Sequence, residues 1–166
     1  MSTDLSLLSY DTTETFSLSE SNCKIVSVYD ADIFHVAVHL PGHGPTRFTA
    51  RLKGVDTPEI RPRRGAILAV KEKTSAKICR NILMKKIIDN NLLEDPNIKF
   101  TPRRIREICA RSRKLLKIVP HGFDKYGRVL VDLYDNGESI NEYMLNGGYA
   151  RPYDGGKRIP WSEEEL

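Results

Sequence analysis

Three short stretches gather acids, two of them together with arginines, in ways that could do chemistry. In "RLKGVDTPEIRPRRG", residues 51–65, Arg51 stands five residues before Asp56, and Glu59 follows in the same turn. Pro58 fixes its own φ and pushes Thr57 out of the helical region, so the Asp-Thr-Pro-Glu turn is stiff. Stiffness is what a metal ligand or a water-positioning carboxylate requires. In "YDADIF", residues 29–34, Asp30 and Asp32 share one side of a strand end, where they could offer oxygens to a hard cation such as Ca²⁺. In "FDKYGRVLV", residues 123–131, a turn containing Asp124, Lys125 and Gly127 delivers Arg128 onto the start of a strand. Each stretch by itself also reads as a strand-ending turn with solvated charges.

The elements that must position these residues follow from hydrophobic periodicity. "CKIVSVYD" predicts a first strand and "IFHVAVHL" a second, with Phe34, Val36, Val38 and Leu40 on one face. "TRFTARLKGV" alternates again, with Phe48, Ala50, Leu52 and Gly54 opposite Arg47, Thr49, Arg51 and Lys53. From about Ala66 to Asn91 the period lengthens, and Ala76, Cys79, Leu83 and Ile87, flanked by Ile78 and Ile82, predict an amphipathic helix. A longer connection contains "TPRRIREICARSRK", a candidate short helix. "KLLKIV" and "GRVLVDLY" read as the fourth and fifth strands. Ser139 and Glu142 match a capping box for a short helix that Gly147 would end. The expected fold is α+β, mainly β: a five-stranded barrel closed on itself with packed helices. Residues 1–21, rich in Ser, Thr, Asp and Glu, read as a disordered polar tail ahead of a single domain over residues 22–166.

At 166 residues the chain can bury a real core, and its net charge of +4 leans mildly toward a polyanionic partner. Three separated cysteines support neither a disulfide framework nor a zinc site. No apolar run approaches a membrane span and no secretory signal is visible, so the expectation is an intracellular protein without membrane contact.

Taken together, "D-A-D" beginning one strand, "R-x4-D-T-P-E" ending another and "D-K-Y-G-R" entering a third resemble the signature of the staphylococcal nuclease (thermonuclease) family. Order and spacing agree, and the likeness runs over roughly residues 23–161. The resemblance implies an OB-fold-like barrel with two to three helices that hydrolyses phosphodiesters of DNA and RNA with one Ca²⁺. Carried over by position, Asp32 and Asp56 would be metal ligands beside the main-chain carbonyl of Thr57. Arg51 and Arg128 would grip the scissile phosphate, and Glu59 would orient the attacking water. Lys125, Tyr126 and, more loosely, Tyr153 would line the nucleotide pocket. The implied partners are single-stranded or loosened double-stranded DNA and RNA, bound by a monomer, with 3′-phosphate and 5′-hydroxyl products.

The chemistry matches the residue types. In-line attack by water adds negative charge to the phosphoryl oxygens, which a divalent cation and guanidinium forks stabilise. Ala31 and Ile33 stand where the family usually has Gly and Thr, and a positive φ at Ala31 would strain the backbone. "IPWSEEEL" reads as the start of a last helix, cut short, with Ser162 and Glu165 as its capping box. A rival reading keeps the barrel as a nucleic-acid- or peptide-binding module without turnover. Retention of all the acids and arginines favours the enzyme. Two further features stay open: His35, His39 and His43 at four-residue steps, and eight Lys and Arg against one acid between residues 99 and 117. The latter is either a solvated face or a phosphate-tracking patch.

Overall fold

The computed structural model describes residues 4–166. Where side chains alternate apolar and polar, the chain forms the strands β1 (Ser21–Val28), β2 (Ile33–Leu40), β3 (Gly44–Leu52), β5 (Leu116–Phe123) and β6 (Val129–Asp135). β1 pairs antiparallel with both β2 and β5, β2 with β3, and β5 with β6. Closure comes from a parallel pairing of β3 with β6, in which Arg51 lies opposite Leu130. The result is a closed, mixed five-stranded barrel with three helices, the expected fold class. Phe34 and Val36 from β2, Leu52 from β3 and Val131 and Leu133 from β6 fill its interior and are essentially inaccessible.

Short elements decorate the rim. β4 (Val55–Asp56) pairs with β8 (Arg151–Pro152), putting Asp56 opposite Arg151. β7 (Glu138–Ser139) extends β6 and leads into α3 (Ile140–Asn146), whose first turn is capped by the Ser139 side chain accepting from Glu142 N. Gly147 closes this helix as expected, but with φ of −78°; the left-handed residue is Gly148, at 72°.

The long helix is α1 (Ala69–Ile87). Ala76, Cys79, Leu83 and Ile87 are buried as their spacing predicts, whereas Ile78 is exposed. The longer connection holds α2 (Pro102–Arg111), capped by the Thr101 hydroxyl and packed on β1 through Ile105, Ile108 and Cys109. All three cysteines are free and buried.

Ahead of β1 the chain carries two one-turn helices, and Phe16 stacks on Phe48 with ring centres 6.5 Å apart. The helix expected from Ser162 does not form. Ser162 N donates to Glu165 as in a capping box, but the Glu163 and Leu166 carbonyls accept from Lys71 Nζ and Ser75 Oγ of α1. Side chains of another element thus fix this segment as a strap along α1. Among the described residues, no helix is long and apolar enough to cross a membrane.

Candidate functional site

The barrel closure positions Arg51, the penultimate residue of β3, between Ile33 and Leu130. Its Nε donates to Asp32 Oδ2 at 3.3 Å and its Nη2 to the Val55 carbonyl at 3.3 Å. The guanidinium carbon lies 4.8 Å from the centre of the Tyr153 ring. Asp32, in the turn entering β2, is 3% exposed, and its Oδ1 accepts from Thr57 Oγ1 at 2.8 Å. Burial raises its pKa, against the lowering effects of Arg51 and Thr57. Between the acids, Ala31 does not adopt a positive φ, so the strain considered for a non-glycine residue is absent, and its methyl group is fully buried.

Carboxylates from other elements hold the Asp-Thr-Pro-Glu turn through its amides. Ile60 N donates to Asp30 Oδ1 at 2.9 Å, and Glu59 N donates to Glu72 Oε1 of α1 at 3.1 Å. Burial pushes the Asp30 carboxyl up to about 6 and raises that of Glu72 as well. Asp56 itself is 1% exposed. Its Oδ2 accepts from Arg151 Nε and Nη2 at 3.0 and 2.9 Å. The other oxygen, Oδ1, is buried and accepts no hydrogen bond: Arg158 Nη2 lies 2.7 Å away without aiming an N–H at it.

The third stretch is organised by Asp124. It accepts from the amides of Tyr126 and Arg128 and from Arg128 Nε, the last at 2.7 Å. Burial would raise its carboxyl, but these bonds prevail and hold it below the usual range. Gly127, with φ of 77°, makes the reversal possible. Arg128 and Lys125 both approach the Tyr126 ring, at 5.0 and 5.1 Å from its centre.

These segments meet around one cavity of about 470 Å³. Asp32, Arg51, Glu59, Lys125, Tyr126, Arg128 and Tyr153 all line it, as does Asp30. Asp56 and Thr57 lie behind that wall, fully buried, and reach it through Asp32, Arg51 and Arg158. Sequence reasoning missed Arg151, Arg158 and Glu72. Arg158 touches Asp56, accepts no local explanation, and donates from Nη2 to the Thr57 carbonyl at 2.7 Å. Nothing in local spacing links residues 56 and 57 to residues 151 and 158: the β4–β8 pairing brings Arg151 to Asp56, and a long-range side-chain bond brings Arg158 to Thr57.

Two carboxylates and a carbonyl suit a hard cation, which takes about six to eight oxygen ligands, many from water or substrate. The orphaned buried Oδ1 of Asp56 is the observation that fits such an ion. Among the described residues, no group of three or more His, Cys, Asp or Glu could hold a metal, so the histidine spacing builds no site. In the basic stretch, Arg103 and Arg104 both pair with Glu107.

Residues 49–165 match the family described as staphylococcal nuclease homologues, well over half of the 166-residue chain. The chain belongs to the staphylococcal nuclease homologue family. Asp30 and Asp32 precede the matched span, and Arg51, Asp56, Glu59 and Arg128 fall inside it. Membership makes this chain a nuclease-like or nucleic-acid-binding module. No curated protein matches it.

Proposed function

We propose that this staphylococcal nuclease homologue is a Ca²⁺-dependent endonuclease with little sequence specificity, acting on single-stranded or loosened DNA and on RNA. One observation carries the reading: Arg51 from β3 and Arg128 from the turn entering β6 approach a single cavity, beside Asp32 and Glu59 and over the buried Asp56 and Thr57. Asp32, Asp56 and the Thr57 carbonyl would hold the cation, which when bound supplies positive charge to the phosphoryl oxygens.

The remaining roles belong to the chain's own groups. Arg51 spends Nε and one Nη2 hydrogen on Asp32 and Val55, and Arg128 spends Nε on Asp124. Both keep N–H groups for phosphate oxygens, and both are oriented by the bonds they make. Glu59 orients the attacking water and takes its proton. As the new P–O bond forms, the bond to the 5′ oxygen breaks, and that oxygen is protonated from solvent. The 3′-phosphate stays on the other fragment. Tyr126 and Tyr153 offer ring faces for bases, which every base can use, so selectivity for sequence is low.

The test is cleavage of denatured DNA by the purified protein across a Ca²⁺ titration, with a chelator blank and Arg51→Ala beside it. Cleavage that needs Ca²⁺ and falls by about 10²–10³ in the variant supports the reading. Folded protein that binds DNA without cutting it under any divalent ion would leave a binding module instead.

A further inference from the structure

Residues 153–166 cross the site as a strap fixed at both ends. On one side Tyr153 N donates to the Gly54 carbonyl at 3.0 Å. On the other, Glu163 and Leu166 are tied to α1, and Arg151 lies 3.8 Å from the Trp161 ring centre and pairs with Glu165. Between the anchors, Lys157 and Arg158 line the cavity, and Arg158 is the one that reaches the buried oxygens behind it. The Arg158 guanidinium is 2.7 Å from the Thr57 carbonyl, 2.7 Å from Asp56 Oδ1 and in contact with Glu59 Oε1. These are two of the three groups assigned to the cation, plus the carboxylate assigned to the water.

We propose that Arg158 is the site's resident cation, and that a divalent ion enters by displacing it. This rests on the reading of Asp32, Asp56 and Thr57 as a hard-cation site. An ion bonded to those oxygens at about 2.3–2.6 Å would sit against a guanidinium that already donates to the Thr57 carbonyl and lies 2.7 Å from Asp56 Oδ1, and like charges at that range exclude each other. The guanidinium serves the empty site by neutralising buried acids that would otherwise repel. Its departure does two things at once: it frees the cation's oxygens, and it releases Glu59 to a water. Metal binding and arming of the carboxylate are therefore one event.

The displaced side chain has somewhere to go. Arg158, Glu59 and Arg63 form a shared wall between the site and a second cavity of about 580 Å³ beside Trp161. Two glycines precede Arg158 by a short interval, and Gly155 has φ of 91°. Such a pair can absorb the backbone rotation.

A closed state that is open less than about one-tenth of the time weakens apparent affinity by at least about tenfold. The test is calorimetric titration of wild type and Arg158→Gln with Ca²⁺, without nucleic acid, and with Asp56→Asn as the non-binding control. Thermal midpoints are measured in chelator and in Ca²⁺. Arg158→Gln should bind Ca²⁺ at least about tenfold more tightly and melt lower than wild type in chelator, with the difference narrowed by Ca²⁺. Arg158→Lys, which keeps one charge but not the three-way reach, should fall between the two and serves if the glutamine variant does not fold. Equal or weaker Ca²⁺ binding by both variants would overturn the displacement while leaving the cation site standing. No binding by any of the proteins up to about 10 mM, beyond the weakest class of protein sites, would refute the cation site and the displacement with it.

Discussion

Replacing Arg151 by Met removes the cation that faces Asp56 most directly. Two hydrogen bonds, at 3.0 and 2.9 Å, end on an aspartate that is 1% exposed, so the substitution strips charge compensation from a buried carboxylate. Breaking a buried pair from one side costs about 3–5 kcal/mol. Arg158 at 2.7 Å and Arg51 at 3.9 Å stay beside Asp56, which sets the expectation at the lower end, about 3 kcal/mol. With an urea slope of about 2 kcal/mol per molar, the unfolding midpoint in chelator should fall by about 1.5 M. The double variant Arg151→Met with Asp56→Asn removes both partners and should recover at least half of the loss, giving a coupling that neither single change shows. A loss below about 1 kcal/mol, or a double variant no more stable than Arg151→Met, would refute the claim that this pair neutralises the buried acid.

Arg128→Ala should lower cleavage by about 10²–10³ while leaving the melting temperature within a few degrees, since its side chain hydrogen-bonds only to Asp124 of its own turn and ties no other element down. Asn141→Leu should cost about 3 kcal/mol, read as a fall in melting temperature of about 6–12 °C, because its amide accepts from Leu133 N of β6 and donates to the Lys53 carbonyl just after β3, tying α3 to the barrel. Burial pushes the Cys23 thiol up to about 12 and those of Cys79 and Cys109 up to about 11. The folded protein should accordingly resist a thiol-specific disulfide reagent at pH 8, and all three cysteines should react once it is unfolded.

What could be read from the sequence was whatever local periodicity or a short turn encodes. The alternation over Ile33–Leu40 matches β2 residue for residue, and the Asp-Lys-Tyr-Gly-Arg turn forms as its side-chain chemistry dictates. β5 was placed less well, because "KLLKIV" ends before the strand does. The strand continues past Pro120, where its register with β6 becomes irregular before Phe123. A proline inside a run argues against a strand, and here the bulge accommodates it. The barrel was legible as a count of alternating segments, but not its closing pair, since β3 and β6 are parallel and far apart in sequence. The arginines at 151 and 158 were illegible for the same reason. Asp56 and Arg151 are 95 residues apart, and Thr57 and Arg158 are 101 apart, so no local spacing could join them.

Those separations also bear on how the protein is made. At a synthesis rate of about 5–20 residues per second, roughly 5–20 s pass between the emergence of Asp56 and that of Arg151. Through that interval the nascent chain carries Asp32, Arg51, Asp56 and Glu59 but neither β8 nor the strap. The buried aspartates have no Arg151 or Arg158 to neutralise them, and β4 has no partner strand. The rim of the barrel therefore cannot set until β8 and the strap arrive, so the part of the molecule proposed to attack nucleic acid is completed after the five strands that carry it.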